Sequence, residues 1–357
     1  MSKFSAFLKR KNIEFSAKRY GIDALSAMAQ GLFCSLLIGT IIKTLGQQLG
    51  IQLLTDIGTY AMAVSGPAMA VAIGYALKAD PMVLFSLVAV GWAANAEGGA
   101  GGPLAVLVIA IIACECGKMV SKETKVDILV TPAVTILVGV ALSKLIAPPI
   151  GMIASKFDDL IFVATELQPF WMGITVSVLV GIALTLPISS AAICSVLGLV
   201  GLAGGAAVAG CCAQMVGFAV MSFKENRWGG LVSQGLGTSM LQMGNIVKNP
   251  RIWIPPTLAS AITGPIATCV FKLQMNGAPI NSGMGTCGLC GPLGVWTGWI
   301  APSEKAIEKG ISAISPAAMD WIGLALICIV LPAILSWIFC EILRKIGWIK
   351  EGDLKLQ

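Results

Sequence analysis

Six runs of predominantly apolar residues, 21–42, 57–77, 128–147, 170–186, 253–271 and 321–343, set the limits on what this chain can fold into. A hydrocarbon core is crossed by about 20 apolar residues in a helix. Backbone left unpaired at that depth is ruinous, so these runs read as membrane helices. Of the 357 residues, 56% are apolar and only 12% charged, which excludes an ordinary soluble domain. The expected fold is an all-α polytopic membrane protein with about 8–10 transmembrane helices. No polar stretch is long enough for a separate soluble domain.

Between the helices lie less regular stretches, 81–117, 188–221, 231–247 and 280–300, interrupted by glycine, proline or polar residues. Two of them carry the same pattern, GxxGPLxV, as GAGGPLAV at 99–106 and GLCGPLGV at 288–295. Proline lacks a backbone donor and glycine weakens a helix, so each copy is a helix break. A break in membrane is tolerated only where protein or a water-filled cavity completes the backbone, and paired breaks in two halves of a chain point to a transporter's substrate site. Lys78 on one side of 81–117, and Lys118, Lys122 and Lys125 on the other, put both ends on the cytoplasmic face. The stretch therefore enters and returns as a re-entrant hairpin, with arms 82–94 and 104–113 short of a full crossing and residues 95–103 at the tip. The matching second tip is 281–292.

Net charge is +6, and its location points to the membrane rather than to nucleic acid. Lys3, Lys9, Arg10, Lys11, Lys18 and Arg19 precede the first span, while Arg344, Lys345, Lys350 and Lys355 follow the last. The positive-inside rule places both termini in the cytoplasm and requires an even number of crossings. The chain thus divides into a basic leader (1–20), a membrane domain (21–343) and a cytoplasmic tail (344–357). Phe4, Phe7, Leu8 and Phe15 interleave with the leader's cations; it reads either as an amphipathic helix on anionic lipid or as a disordered tail. Residues 150–168 and 302–315 mix charges with apolar side chains and read as surface-lying segments or as polar loops.

Glu97, in membrane-length apolar sequence beside Asn95, Gly98 and Gly99, is the acid most expensive to bury and the leading site candidate; the alternative is a helix cap or contact with interfacial water. At the second tip Asn281, Ser282 and Thr286, with Gly283 and Gly285 admitting close approach, suit a sugar or polyol, or else pack helices together. Ser189 and Ser190, beside Pro187, answer freed carbonyls or line a cavity. The two tips are expected to face one another across a central cavity. Gln214, Gln234, Gln242 and Asn245 read singly as helix–helix hydrogen bonds. Eleven cysteines lie mostly in apolar runs, and the CxxC of Cys287 and Cys290 lacks partners for a zinc site. No metal, cofactor or catalytic residue is expected. The chain contains no histidine, which excludes a phosphohistidine or a His-based triad, and no Walker loop, which argues against ATP hydrolysis.

The segments QGLFCSLLIGT (30–40), APPIGMI (147–153), LTLPISSAAI (184–193) and GMGTCGLCGP (283–292) resemble the membrane-permease, enzyme IIC family of the bacterial phosphotransferase system, most nearly its perfringolysin-regulator-like branch. The resemblance runs from about residue 21 to 343. It implies a multi-pass homodimer in the bacterial plasma membrane, with two re-entrant hairpins and elevator-like carriage of a solute held between the broken-helix tips. A partner IIB, supplied with phosphate by IIA and HPr, would phosphorylate a sugar on arrival. Well-known glucose-group permeases use a histidine and a hairpin glutamate near the sugar; this chain has neither a histidine nor an acid in its second tip, and no fused IIA or IIB. The expected function is a solute transporter rather than an enzyme. The alternatives are a membrane ligand sensor or regulator, and a non-phosphorylating transporter of a non-sugar solute.

Overall fold

The computed structural model describes residues 3–356; the side chains of residues 3–5, 157 and 158 lie outside the description, and with them Lys3, Phe4 and Asp158 of the charge pattern above. The described residues form helices and no named strand. The chain divides into two compact units, Met1–Ala154 and Ser155–Gln357.

The first unit begins with α1 (Lys3–Arg10) and continues through α2 (Arg19–Leu49), α3 (Gln52–Ala63), α4 (Ser65–Ala76), α5 (Pro81–Gly98) and α6 (Gly102–Val120). The long α7 (Asp127–Thr165) contains the boundary between the units. The expected single span 57–77 is two helices bent by 50°. Pro67 accounts for the bend, because it has no N–H for the carbonyl of Ala63 and its ring crowds that carbonyl. Backbones of α4 and α5 nearly touch: a Cβ on Gly66 would lie 2.4 Å from the carbonyl oxygen of Gly91. Such small-residue crossings let membrane helices associate by close packing.

Three readings of this half need correction. The hairpin arms are 18 and 19 residues long, not 13 and 10. The extra turns of α6 are held by Glu115, which accepts from the Tyr20 hydroxyl (3.0 Å) and pairs with Lys118 (2.9 Å). Residues 150–165 are not a separate surface segment but the continuation of α7 through Pro148 and Pro149, whose fixed φ suits a helix even though each removes a hydrogen bond. The leader is not a disordered tail: Lys3–Arg10 is a helix, the first of its two readings, and the residues that end it are anchored to the unit. Arg10 and Lys11 both pair with Glu123, Lys118 Nζ donates to the carbonyl of Asn12 (2.8 Å) and to that of Leu77 (3.0 Å), and Ile13 is buried. Lys122 pairs with Asp80 on the same face.

The second unit centres on α10 (Gly201–Met221), apolar on every side and correspondingly buried on every side. Around it pack α8 (Pro169–Thr185), α12 (Ile254–Pro265) and α14 (Ala318–Lys345); between α8 and α12 a Cβ on Gly264 would fall 2.0 Å from the carbonyl oxygen of Gly173. Shorter pieces complete the unit: α9 (Ser190–Val196), α11 (Phe223–Val232), broken at Arg227 by a positive φ, and α13 (Cys290–Ile300). Gln214, fully buried in α10, accepts from Trp253 Nε1 (3.0 Å) and Thr185 Oγ1 (3.3 Å) and donates to Thr257 Oγ1 (3.3 Å), the interhelical role its isolation suggested.

Among the described residues five helical runs are long and apolar enough to cross a bilayer, one being Pro81–Val120. Because α5 and α6 pack along each other, that run is a hairpin. Splitting it at the turn, counting the bent pair α3–α4 and adding the shorter apolar α8 brings the candidate crossings to eight.

Candidate functional site

In the first unit the GxxGPLxV break is a tight reversal. Gly99 turns the chain with φ +51° and ψ −123°, a conformation open essentially to glycine, and a single 3₁₀ turn (Gly99–Gly101) leads into α6. Pro103 lies in the first turn of α6, where its missing donor costs nothing. The arms close tightly because residue 102 has no side chain: a Cβ there would sit 2.6 Å from Asn95 Oδ1. The tip rests against α7, since a Cβ on Gly101 would meet the carbonyl oxygen of Ile150 at 2.9 Å and one on Gly151 the carbonyl oxygen of Gly98 at 2.7 Å.

Glu97 projects from the last turn of α5, and Lys144 of α7 donates to its Oε1 at 2.5 Å. The carboxylate is one-third exposed and the ammonium two-thirds. Lys144 was overlooked among the sequence candidates although a signal was present: it is the one cation inside the apolar run 128–147, and a charged group at that depth is a site candidate with a partner to be named. The same turn of α7 offers more. Pro148 and Pro149 have no N–H, so the carbonyls of Lys144 and Leu145 lose their helical partners and need donors from elsewhere. A carboxylate and an ammonium thus meet beside a turn of α7 with two freed carbonyls, whereas Asn95, two residues before Glu97, faces Gly66 and Gly102 instead. The charged pair and the carbonyls can exchange hydrogen bonds with a polyhydroxylated solute.

In the second unit the break is built differently. An extended stretch pairs Met275 with Gly201 through two backbone hydrogen bonds (3.0 and 3.1 Å), then 3₁₀ turns at Pro279–Gly283 and Cys287–Leu289 lead into α13. Gly285, at φ +51°, lies so close to α10 that a Cβ would be 2.7 Å from the Cys211 carbonyl carbon. Its own carbonyl accepts from the Gly291 N–H at 2.8 Å, which locks the loop.

Ser189, Ser190, Ser282, Gly283, Gly285 and Thr286 do come together here, but their hydroxyls are already engaged. Ser190 donates to the carbonyl of Gly283 (2.7 Å), Ser282 to that of Pro279 (2.5 Å) and Thr286 to that of Gly235, while Ser189 caps α9 by accepting from the Ala192 N–H (3.2 Å). Ser190, Ser282 and Thr286 are buried. They brace the tip from within, leaving half-buried Asn281 as its partly accessible amide. Cys287 and Cys290 are buried beneath the same loop.

Over residues 22–356 the sequence matches the family model described as Phosphotransferase system, EIIC. No curated protein and no solved structure matches significantly.

Proposed function

We propose, from the premise that this chain belongs to the phosphotransferase system EIIC family, that it carries a sugar or polyol across the membrane by way of its broken-helix tips. Membership and the apolar helices make it a multi-pass plasma-membrane permease component; the solute, the elevator-like movement, the homodimer and separate IIA and IIB partners belong to the proposal.

One observation carries the reading: the Glu97–Lys144 pair at the turn of the first broken helix, beside two carbonyls freed by Pro148 and Pro149. An ion pair at a helix break in apolar sequence has little value for folding, because a pair this exposed contributes only about 0–1 kcal/mol. Solute hydroxyls can donate to Glu97 and the freed carbonyls and accept from Lys144, while Asn95 would help close the hairpin against Gly102. Ser189, Ser190, Ser282 and Thr286 would hold the second tip's backbone in shape, while Gly98, Gly99, Gly283 and Gly285 allow the turns to form. With no histidine on the chain, phosphorylation falls to a partner protein.

The test is a thermal-shift screen of the purified protein against sugars, polyols, organic acids and nucleosides, followed by uptake of the best ligand into proteoliposomes. Stabilisation by a polyhydroxylated solute together with uptake supports the proposal. Binding without uptake, with or without the partner proteins, would replace the carrier with a sensor. Stabilisation by organic acids or nucleosides alone would remove the sugar or polyol.

A further inference from the structure

After α14 the chain turns at Gly347 and Gly352 and runs back over the second unit, where residues 349–356 lie across α11 and the segment that follows it. The grip is on the main chain. The carbonyl of Leu354 accepts from Asn226 Nδ2 (2.7 Å) and from Gln242 Nε2 (3.0 Å), that of Lys355 accepts from Asn245 Nδ2 (2.9 Å), and the N–H of Leu356 donates to Asn226 Oδ1 (2.8 Å). Asn226 thus both donates to and accepts from the segment, as a neighbouring strand would. Leu354 is completely buried while Lys350, Glu351, Gly352 and Lys355 are exposed. The contact is that of a turned peptide, closed by the Asp353 N–H on the Lys350 carbonyl (3.2 Å) and the Lys355 N–H on that of Gly352 (3.1 Å), held by its backbone and two apolar anchors, Ile349 and Leu354.

The amides that hold it are themselves linked inward. Gln242 donates to Gln234 Oε1 (2.8 Å) and Gln234 to Ser222 Oγ (2.8 Å), and the carbonyl of the next residue, Gly235, accepts from the Thr286 hydroxyl in the second tip. A continuous chain of contacts therefore runs from Leu354 through Gln242 and Gln234 to Thr286. These amides sit in short helices and turns rather than in the long apolar helices, and such segments open at low free-energy cost.

We propose that residues 223–249 form a seat that binds the turned segment 349–356, and that seating it holds the second tip in place, making a releasable latch. This does not depend on which solute the protein carries or on whether it carries one. Asn249 adds a hydrogen bond from its Nδ2 to Asp353 Oδ2 (2.8 Å). The hold is thus a set of single side-chain hydrogen bonds and two apolar anchors on a half-exposed segment, each modest against the entropy of ordering it, and the segment can leave as a unit. When it leaves, Asn226, Gln242 and Asn245 lose their contacts to the segment together, Gln242 and Asn245 keeping only the links to Gln234 and to each other, and the turn that receives Thr286 loosens.

Hydrogen exchange read by mass spectrometry on the full chain in lipid nanodiscs tests this. Leu354→Asp should speed exchange about two- to tenfold, the range set by the net value of one hydrogen bond, both in 223–249 and in 279–289. Thr286→Val should do so in 279–289 alone, and adding Leu354→Asp to it should give no further change there. Leu354→Ala is the milder replacement if the charged variant does not assemble. Faster exchange in 223–249 with 279–289 unchanged would overturn the coupling to the tip. No change in either region would overturn the seat itself. A chain ended after Gly347 should regain protection when a peptide of residues 348–356 is added, and its failure to do so would also count against the seat.

Discussion

Replacing Glu97 by Gln keeps the shape of the side chain and removes the charge that Lys144 meets at 2.5 Å. The effect on folding is bounded by exposure. With the ammonium two-thirds exposed the pair is worth about 0.2–1 kcal/mol, and in a chain of this size that moves the melting temperature by a few degrees at most. Binding should respond more. A hydrogen bond to a charged group contributes about 1.5–3 kcal/mol where the solute excludes water, which corresponds to roughly a ten- to hundredfold loss of affinity. Lys144→Met should give a similar loss. If the two charges act as one unit, the double variant should be little worse than either single one, as groups sharing a partner are not additive. The assay is calorimetric titration of the ligand identified by the thermal-shift screen against the four proteins, between pH 5 and 8. Wild-type affinity of Glu97→Gln across that range would refute the reasoning. A large melting shift with unchanged affinity would reassign the pair to folding.

Gly285→Ala should destabilise the second tip by about 1–3 kcal/mol or block assembly, because the added Cβ faces both a φ of +51° and backbone atoms of Cys211; thermal unfolding in detergent is the measurement. Gln214→Met should cost about 1–3 kcal/mol in the same assay, since it leaves Trp253 Nε1 and Thr257 without the partner that α10 supplies. Acid should release the leader. The hydrogen bond from Lys122 holds the Asp80 carboxyl below the usual carboxylate range, and that from Lys11 does the same for Glu123. A carboxyl whose folded pKa is depressed contributes stability above its unfolded value of about 4 and loses it as the pH falls through the folded one. Exchange at residues 10–13 should therefore be flat from pH 7 to about 5, after correction for intrinsic rates, and rise below about 4. A rise already complete at pH 6 would contradict this assignment.

What could be read from the sequence was local, and what could not was paired at a distance. Apolar length announced the long helices, and glycine next to proline announced the break at Gly99, because a helix reports its own end. Lys144 was legible in principle as a solitary charge, but its partner is 47 residues away. The leader's destination was hidden for the same reason: Arg10 meets Glu123 across 113 positions. Pro148 and Pro149 misled in the opposite sense, since two prolines ordinarily mark a boundary and here the helix runs on. Ser190, Ser282 and Thr286 looked like ligand contacts because sequence shows a hydroxyl but not the carbonyl it already serves. Of the amides that seat residues 349–356, Gln242 and Asn245 stood out only as single polar residues in weakly apolar stretches, and Asn226 did not stand out at all.

The first hairpin also works as a ruler. From Pro81 to Glu97 is 16 helical steps, about 24 Å, and from Asp127 to Lys144 is 17, about 26 Å. Two helices that leave neighbouring loops thus bring opposite charges to matching depth, close to the full hydrocarbon thickness of about 30 Å for upright helices. Glu97 and Lys144 consequently stand at the ends of these helices away from the loops at 78–80 and 121–126, about 24–26 Å along the axes. In the carrier proposed above, a solute reaching the pair would therefore have the whole length of both helices between it and those loops.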